Sequence, residues 1–372
     1  MRILVVNWLD RENPQAGGAE EHLHEVFGRL ARWGHDVTAL VSGWPGCDET
    51  AELDGMKVHR AGGRYTFSTA GPLYYHGVLE GERFDVVVDD LNKVPTFAPK
   101  WVEGPVVLLA HHLFGMTAFQ AASPPVAAAT WLLERMIPSI YRGTPAIAVS
   151  ESTRSDLVAR GLDAKDIEVV PNGVDVAEFV PEPEAKTDLP TLLFLGRLKQ
   201  YKRVDLLIEA ARLLADEGID VAVRVGGTGD QSEALRALAA RRGISDRVAL
   251  LGYVPDDVKL QLLQSSWIHV LTSSKEGWGI SVLEAGACAT PSVASDSPGL
   301  RESVVHGETG LLVPHGDASA VAAAIRRLIV DPGLRSRMSE QARSFAETYS
   351  WDASARRVEA VLDRVVETSP PQ

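Results

Sequence analysis

Two carboxylates, Glu276 and Glu284, stand eight positions apart in the run Glu276-Gly277-Trp278-Gly279-Ile280-Ser281-Val282-Leu283-Glu284. The preceding residues Trp267 to Thr272 predict a buried strand and Ile280 to Cys288 an amphipathic helix. Glu276 then falls in the turn and Glu284 inside the helix. At ~1.5 Å rise per residue the two carboxylates lie about 8 to 12 Å apart, too far to share one proton or one metal ion. They can grip separate hydroxyls of one extended ligand. The amides of Gly277, Trp278 and Gly279 would face whatever lies between, because a helix N-terminus leaves donors unpaired and carries partial positive charge. A diphosphate fits that place. Either glutamate alone would be ordinary, one complementing the helix dipole and the other a solvated helix residue. The glycines and the Glu284-Ala285-Gly286-Ala287 ending set the whole run apart.

Other residues have chemistry at the ends of predicted strands. Thr191 to Gly196 predicts a strand that runs into Arg197, with Lys202 five residues on. Arginine offers a planar fork to phosphate oxygens and lysine a mobile point charge, so the two suit a diphosphate clamp. Gly17-Gly18-Ala19-Glu20 opens a helix after a long loop, where glycine lets a ligand approach the backbone; a plain loop-to-helix turn accounts for it equally well. His111 and His112 close the strand Val106 to Ala110, and a neutral histidine there could bond a hydroxyl or stay structural. Asn172-Gly173 suits a turn with positive φ and reads first as a hinge. Gly226-Gly227-Thr228-Gly229 imitates a dinucleotide loop but lacks the third glycine, and we read it as a tight turn. No Ser, His and Asp grouping has an elbow context and no His-Glu-x-x-His occurs. Neither a covalent nucleophile nor a metal is expected.

The elements that must position these groups follow from pattern. Short apolar runs at Ile3 to Asn7, Val37 to Ser42, Val86 to Asp89, Val106 to Ala110, Ala146 to Ser150 and Glu168 to Pro171 alternate with helical stretches, among them Ala19 to Trp33 and Glu151 to Arg160. That alternation predicts a parallel α/β sheet. Val176 to Pro190, with three prolines, reads as a linker. A second series starts at Thr191 and passes through Val221 to Val225, Val248 to Leu251, Ile268 to Thr272, Pro291 to Ala294 and Gly310 to Val313. Two doubly wound, Rossmann-like domains follow, 1–178 and 190–348, each binding at the carboxyl ends of its strands and so facing across a cleft. The last helix, near 350–368, has no strand to cross to.

At 372 residues two domains are the expected count. Hydrophobic residues make 45% of the chain and charged residues 23%, which places it with ordinary soluble proteins; no run is long enough to span a bilayer. Met1 leads straight into a strand, with nothing resembling a signal peptide, and Cys47 and Cys288 cannot build a disulfide framework, so a reducing cytoplasm is expected. A net charge of -13 argues against a nucleic-acid partner.

Taken in order, these residues resemble the retaining Leloir-type glycosyltransferases of GT-B fold, glycosyltransferase family four of group 1 type, over nearly the whole chain. Gly17-Gly18-Ala19-Glu20, Gly34-His35-Asp36-Val37-Thr38, Val149-Ser150-Glu151-Ser152 and Pro171-Asn172-Gly173-Val174-Asp175 match its first half. Gly196-Arg197 with Lys202, the Glu-x7-Glu run, Glu302 and Thr309-Gly310-Leu311-Leu312-Val313-Pro314 match its second. The resemblance implies a nucleotide-diphosphate sugar donor, UDP- or GDP-linked, and a glycan, lipid-linked or small-molecule acceptor, with no cofactor and no metal. It implies that Gly196, Arg197 and Lys202 hold the diphosphate, and that Glu284 holds the ribose. Glu276 with the amides of Gly277, Trp278, Gly279 and Ile280 would hold the sugar, Gly17 and Gly18 would approach the phosphate, and His111 would touch the sugar near the reacting carbon. Gly252 and Tyr253 would lie at the base. It further implies that the last helix crosses back onto the first domain.

The chain departs from the family pattern at Ala289-Thr290-Pro291, where glycine is usual, at Pro298-Gly299 in place of a glycine pair, and at Trp278 in place of phenylalanine. The acceptor half falls on the idiosyncratic segment Asp89-Asp90-Leu91-Asn92-Lys93 through Tyr141. Within it, residues 118–141 are apolar, with Trp131, Leu132, Leu133, Met136 and Ile137 beside Arg135 and Arg142. This stretch suits either a buried helix, the commoner use of such a run, or peripheral contact with the inner face of a membrane. A sugar phosphorylase or synthase of the same fold, and a non-catalytic nucleotide-sugar-binding protein, are the competing readings.

Overall fold

The computed structural model describes residues 1–91, 94–121 and 123–369; Asn92, Lys93 and Ala122 of the acceptor segment lie outside the described residues. The chain divides into two compact units, one of Met1–Asn172 with the segment from Trp351 onward, the other Gly173–Ser350. The stretch 176–190, read above as a linker, belongs to the second unit.

The first unit is built on eight strands: β1 (Arg2–Val6), β2 (Asp36–Gly43), β3 (Thr50–Leu53), β4 (Met56–Gly63), β5 (Val86–Leu91), β6 (Val106–Ala110), β7 (Ala146–Ala148) and β8 (Ile167–Val169). Their order is β3-β4-β2-β1-β5-β6-β7-β8. Every pair is parallel except β3 with β4, so the purely parallel sheet expected from the sequence gains an antiparallel edge. The turn of this hairpin is Asp54-Gly55, both at positive φ (53° and 81°), the backbone a two-residue hairpin needs. The Asp-Gly pair between two runs of alternating polarity carried that signal, although β3 is too short and too exposed to show as an apolar run. The last helix, Trp351–Thr368, packs in this unit: Asp352 accepts from Arg29 at 2.6 Å, and Ser354 donates to the Pro171 carbonyl at 2.6 Å.

The second unit has six strands, β9 (Thr191–Leu195), β10 (Ala222–Gly226), β11 (Val248–Gly252), β12 (Ile268–Leu271), β13 (Ser292–Ser295) and β14 (Gly310–Val313). All are parallel, in the order β11-β10-β9-β12-β13-β14. This is the doubly wound order that reverses direction between its first and fourth strands, here β9 and β12. Helices cover both faces, so β9 is buried at all five positions and reads as an unbroken apolar run. Leu192, Phe194, Ile208, Ile268, Val293 and Ile325 are fully buried in its core.

The helix Ile280–Ala287 ends on Ala289, which sits at φ 54°, with its N–H on the Gly286 carbonyl and the Thr290 N–H on that of Ala285, both 2.8 Å. This is the Schellman termination, whose left-handed position favours glycine. An L-residue there costs about 1 to 2 kcal/mol, partly offset by its smaller unfolded-state entropy. Ala289→Gly should therefore stabilise the second unit by roughly 0.5 to 1 kcal/mol; a thermal scan showing a lower midpoint would contradict the assignment of strain.

Candidate functional site

The groups singled out by sequence fall in two sets, one in each unit. In the second unit they gather at the point where strand order reverses. β9 and β12 are neighbours, with Leu192 opposite Ile268 and Leu193 opposite His269. Their carboxyl-end loops carry the two halves of the motif. After β9 the chain passes Gly196 (φ 147°), makes a tight turn at Gln200–Lys202 and leaves through Arg203 in a left-handed conformation (φ 51°). Thr272, just past β12, donates its hydroxyl to the Arg203 carbonyl at 2.7 Å, and the Ser274 N–H bonds the Tyr201 carbonyl at 2.8 Å. The loops are thus stitched together before any side chain reaches a ligand.

Across that seam Lys202 Nζ lies 2.5 Å from Glu276 Oε1, with both side chains close to nine-tenths buried. Burial, the largest single influence, would lower the lysine's pKa, but the Glu276 charge, Tyr201 and the hydrogen bond to Glu276 together outweigh it, and the net shift is upward against a smaller opposing push from Arg197. Lys202 is therefore a firm cation, and Arg197 adds its field. The Tyr201 ring lies 5.5 Å from the ammonium. Glu276 is held from behind, its N–H bonding the Pro298 carbonyl at 3.0 Å. A Cβ on Gly299 would sit 2.4 Å from the Glu276 carbonyl oxygen, so glycine is required there, and of the usual glycine pair this is the position that matters sterically.

Gly279 (φ 104°) caps the helix Ile280–Ala287. The Trp278 ring is turned into the interior, 5.2 Å from the Tyr349 ring, which leaves its amide rather than its side chain for ligand contact. Glu284 is buried inside the helix and meets Lys259 Nζ at 2.8 Å, while Lys259 also lies over the Phe179 ring. Lys259 was missed by sequence reasoning. It follows Asp256 and Asp257 at the start of the helix Asp256–Ser265 and looks there like part of a solvated face.

Gly226-Gly227-Thr228-Gly229 is the tight turn expected, and its purpose is steric. A Cβ on Gly227 would lie 1.9 Å from the Gly196 carbonyl oxygen and one on Gly229 2.1 Å from that of Leu198. The Leu198 N–H bonds the Thr228 carbonyl at 2.8 Å. Backbone packs directly on backbone and braces the Arg197 to Lys202 loop. Gly252 (φ 73°) accepts the Gly227 N–H at 2.7 Å, and Tyr253 beyond it is 78% exposed.

In the first unit Gly17 caps the helix Gly18–Arg32, its N–H bonding the Glu20 carboxylate at 2.7 Å, and Gly18 is exposed at the first helical position. His111 follows β6, as expected, but it is buried and paired: its Nε2 lies 2.9 Å from Asp90 Oδ1. His22 joins them, and one donor atom from each of the three lies within 4.8 Å of the others. No sequence spacing announced this group, because its members come from a helix, β5 and the end of β6. His112 stacks edgewise on Phe114. Asn172 is buried and is the residue at which the chain passes from the first unit to the second.

The apolar stretch 118–141 is not the single buried helix that was the commoner expectation. It is broken into Ala118–Ala121, Pro124–Glu134 and Ile137–Ile140, and it leaves Phe119, Val126, Leu132 and Met136 exposed. Arg135 stacks on Trp131 at 4.1 Å. Among the described residues no helix is long and apolar enough to cross a membrane.

Comparison with known proteins gives this geometry a family. Residues 16–178 match the family described as Glycosyltransferase Family 4, and residues 175–345 that described as Glycosyl transferases group 1. A phosphatidyl-myo-inositol mannosyltransferase of Mycolicibacterium smegmatis is 30% identical over 95% of this chain and 90% of its own. A D-inositol 3-phosphate glycosyltransferase of Acidothermus cellulolyticus is 32% identical over 70% of this chain, which spans only 57% of that relative's length. In fold the chain is similar to a sucrose-phosphate synthase from Thermosynechococcus elongatus, at TM-score 0.83 over 98% of this chain and 99% of that one, with 20% identity. Two Rossmann-like units of parallel sheet, matched along their length by these two descriptions, make the chain a member of glycosyltransferase family 4, the group 1 glycosyl transferases, with the GT-B fold.

Proposed function

We propose that the chain is a retaining hexosyltransferase that moves a sugar from a UDP- or GDP-sugar to an acceptor hydroxyl without a metal ion at the diphosphate. The observation that carries this reading is the Lys202–Glu276 pair at the β9/β12 reversal, where a doubly wound sheet takes its ligand. Lys202 and Arg197 supply positive charge where a departing diphosphate gathers negative charge, and they do so from a preorganised, half-dry place. Glu276, with the amides of Gly277 to Ile280, orients the sugar; Glu284 takes the ribose hydroxyls; Gly196, Gly252 and Tyr253 line the nucleotide; Gly17, Gly18 and His111 act from the first unit. Without a side-chain nucleophile, the acceptor is deprotonated by the leaving diphosphate on the face it leaves. The relatives' names favour an inositol-phosphate or lipid-linked polyol as acceptor, and the exposed Phe119, Leu132 and Met136 favour contact with the surface of a membrane.

Calorimetric titration with UDP, GDP and ADP, followed by sugars on the tightest base, identifies the donor. With that donor, Lys202→Ala should cost roughly 10² to 10³ in turnover. Because it strands a buried carboxylate, Lys202→Ala with Glu276→Gln serves as the folded control; near-normal transfer by either would sink the clamp. Flotation with anionic liposomes tests the membrane contact. Changing Leu132 and Met136 to Ser should release the protein from vesicles, and unchanged flotation would refute it.

A further inference from the structure

The group His22, Asp90 and His111 belongs to the first unit, and the clamp residues to the second. His111 has its main chain fixed on both sides: its N–H bonds the Leu91 carbonyl at 3.3 Å, and its carbonyl accepts the Thr153 hydroxyl at 2.7 Å. Thr153 is itself fixed, with its N–H and hydroxyl oxygen both 3.0 Å from Ser150 Oγ at the start of the helix Glu151–Arg160. Only the direction of the imidazole remains to be set. Two buried neighbours set it, Asp90 from β5 and His22 from the helix Gly18–Arg32, each with no exposed surface. Asp90 Oδ1 lies 2.9 Å from Nε2, an ion-pair contact that is not aligned as a hydrogen bond, and the His22 ring stands at 86° to the His111 ring with centroids 4.9 Å apart. Trp351 closes the other side of His22 at 5.9 Å. Burial, and then the charge of His111, hold the His22 pKa well below its ordinary value. His22 is therefore a neutral wall that does not compete as a cation for the carboxylate.

We propose that Asp90 is the positioning residue of His111: at 2.9 Å its carboxylate oxygen would repel a lone pair on Nε2, so it keeps that nitrogen protonated and leaves Nδ1 as the acceptor for the ligand. The inference rests on the reading above in which His111 touches the donor sugar. The physics is general. A carboxylate on one imidazole nitrogen chooses the tautomer and locks the ring, and an amide in its place can offer an N–H and force the other tautomer. A flipped or reversed ring keeps the fold but misplaces the donor or acceptor at the reacting carbon, where small errors are costly.

The full chain labelled with ¹⁵N-histidine should show His111 as the Nε2–H tautomer, identified by loss of its signals in His111→Ala, and Asp90→Asn should change that tautomer. With UDP-glucose, or GDP-mannose if GDP binds more tightly, Asp90→Asn should lower turnover roughly 10- to 100-fold while donor KM stays within about twofold. Asp90→Glu should recover part of the loss. In the double variant Asp90→Asn/His111→Ala, turnover should match His111→Ala alone, because Asp90 acts only through the ring. Multiplying losses, or an unchanged His111 tautomer in Asp90→Asn, would overturn the proposal. So would one equivalent of zinc retained by the purified protein, which the same three side chains have the donor types to hold. If His111→Ala transfers normally while Lys202→Ala does not, the His111 contact falls and this inference with it, but the transferase reading stands.

Discussion

The second unit turns on one ion pair, Lys202 with Glu276. Each member stands on a loop that a parallel sheet must leave at its carboxyl edge, and each would be costly to bury alone. Paired, they let two loops close on one another without water between them. Their chemistry is then available in a place where charge is weakly screened. A ligand diphosphate that draws the ammonium to itself would exchange one anion for another at nearly constant geometry.

Such a pair needs a stiff frame, and the frame is mostly backbone. Gly227 and Gly229 let one turn lie against the carbonyls of Gly196 and Leu198. Gly299 does the same beneath Glu276, and Thr272 bonds the carbonyl of the left-handed Arg203. Glycines are used here for close approach of main chain to main chain rather than for contact with phosphate. This accounts for a dinucleotide-like Gly-Gly-Thr-Gly run in a site with no dinucleotide pattern. Glu284, inside the helix that follows, repeats the principle of Glu276: a buried carboxylate paired with a lysine, here Lys259.

Much of the fold was legible because parallel strands buried on both faces are written as unbroken apolar runs. β6, β14 and the helix Glu151–Arg160 coincide with their sequence limits. The hairpin β3–β4 was not, since its short edge strand alternates and is half-exposed. In the site, the residues of the second unit were readable because each half of the motif is contiguous: Gly196 to Lys202 and Glu276 to Glu284 each lie on one loop and its flanking element. Lys259 was not, because a lysine among aspartates on a helix is indistinguishable from surface until the helix is docked.

The first unit makes the opposite case. His22, Asp90 and His111 are separated by long stretches of chain, and the pairing Leu91 with Ala110 in the sheet brings two of them to one edge. The third arrives on a helix whose first turn was chosen for its glycines. Neither nitrogen of His22 nor Nε2 of His111 has an aligned hydrogen-bond partner among the described residues, so the group is held by charge and ring packing rather than by a closed hydrogen-bond network. With His22 neutral and a carboxylate beside Nε2, Nδ1 is the edge of His111 that the proposed sugar contact would use. The sheet edge at which that ring stands is the carboxyl edge, so the residue that sequence placed there as a lone histidine is better understood as the outermost member of a buried group.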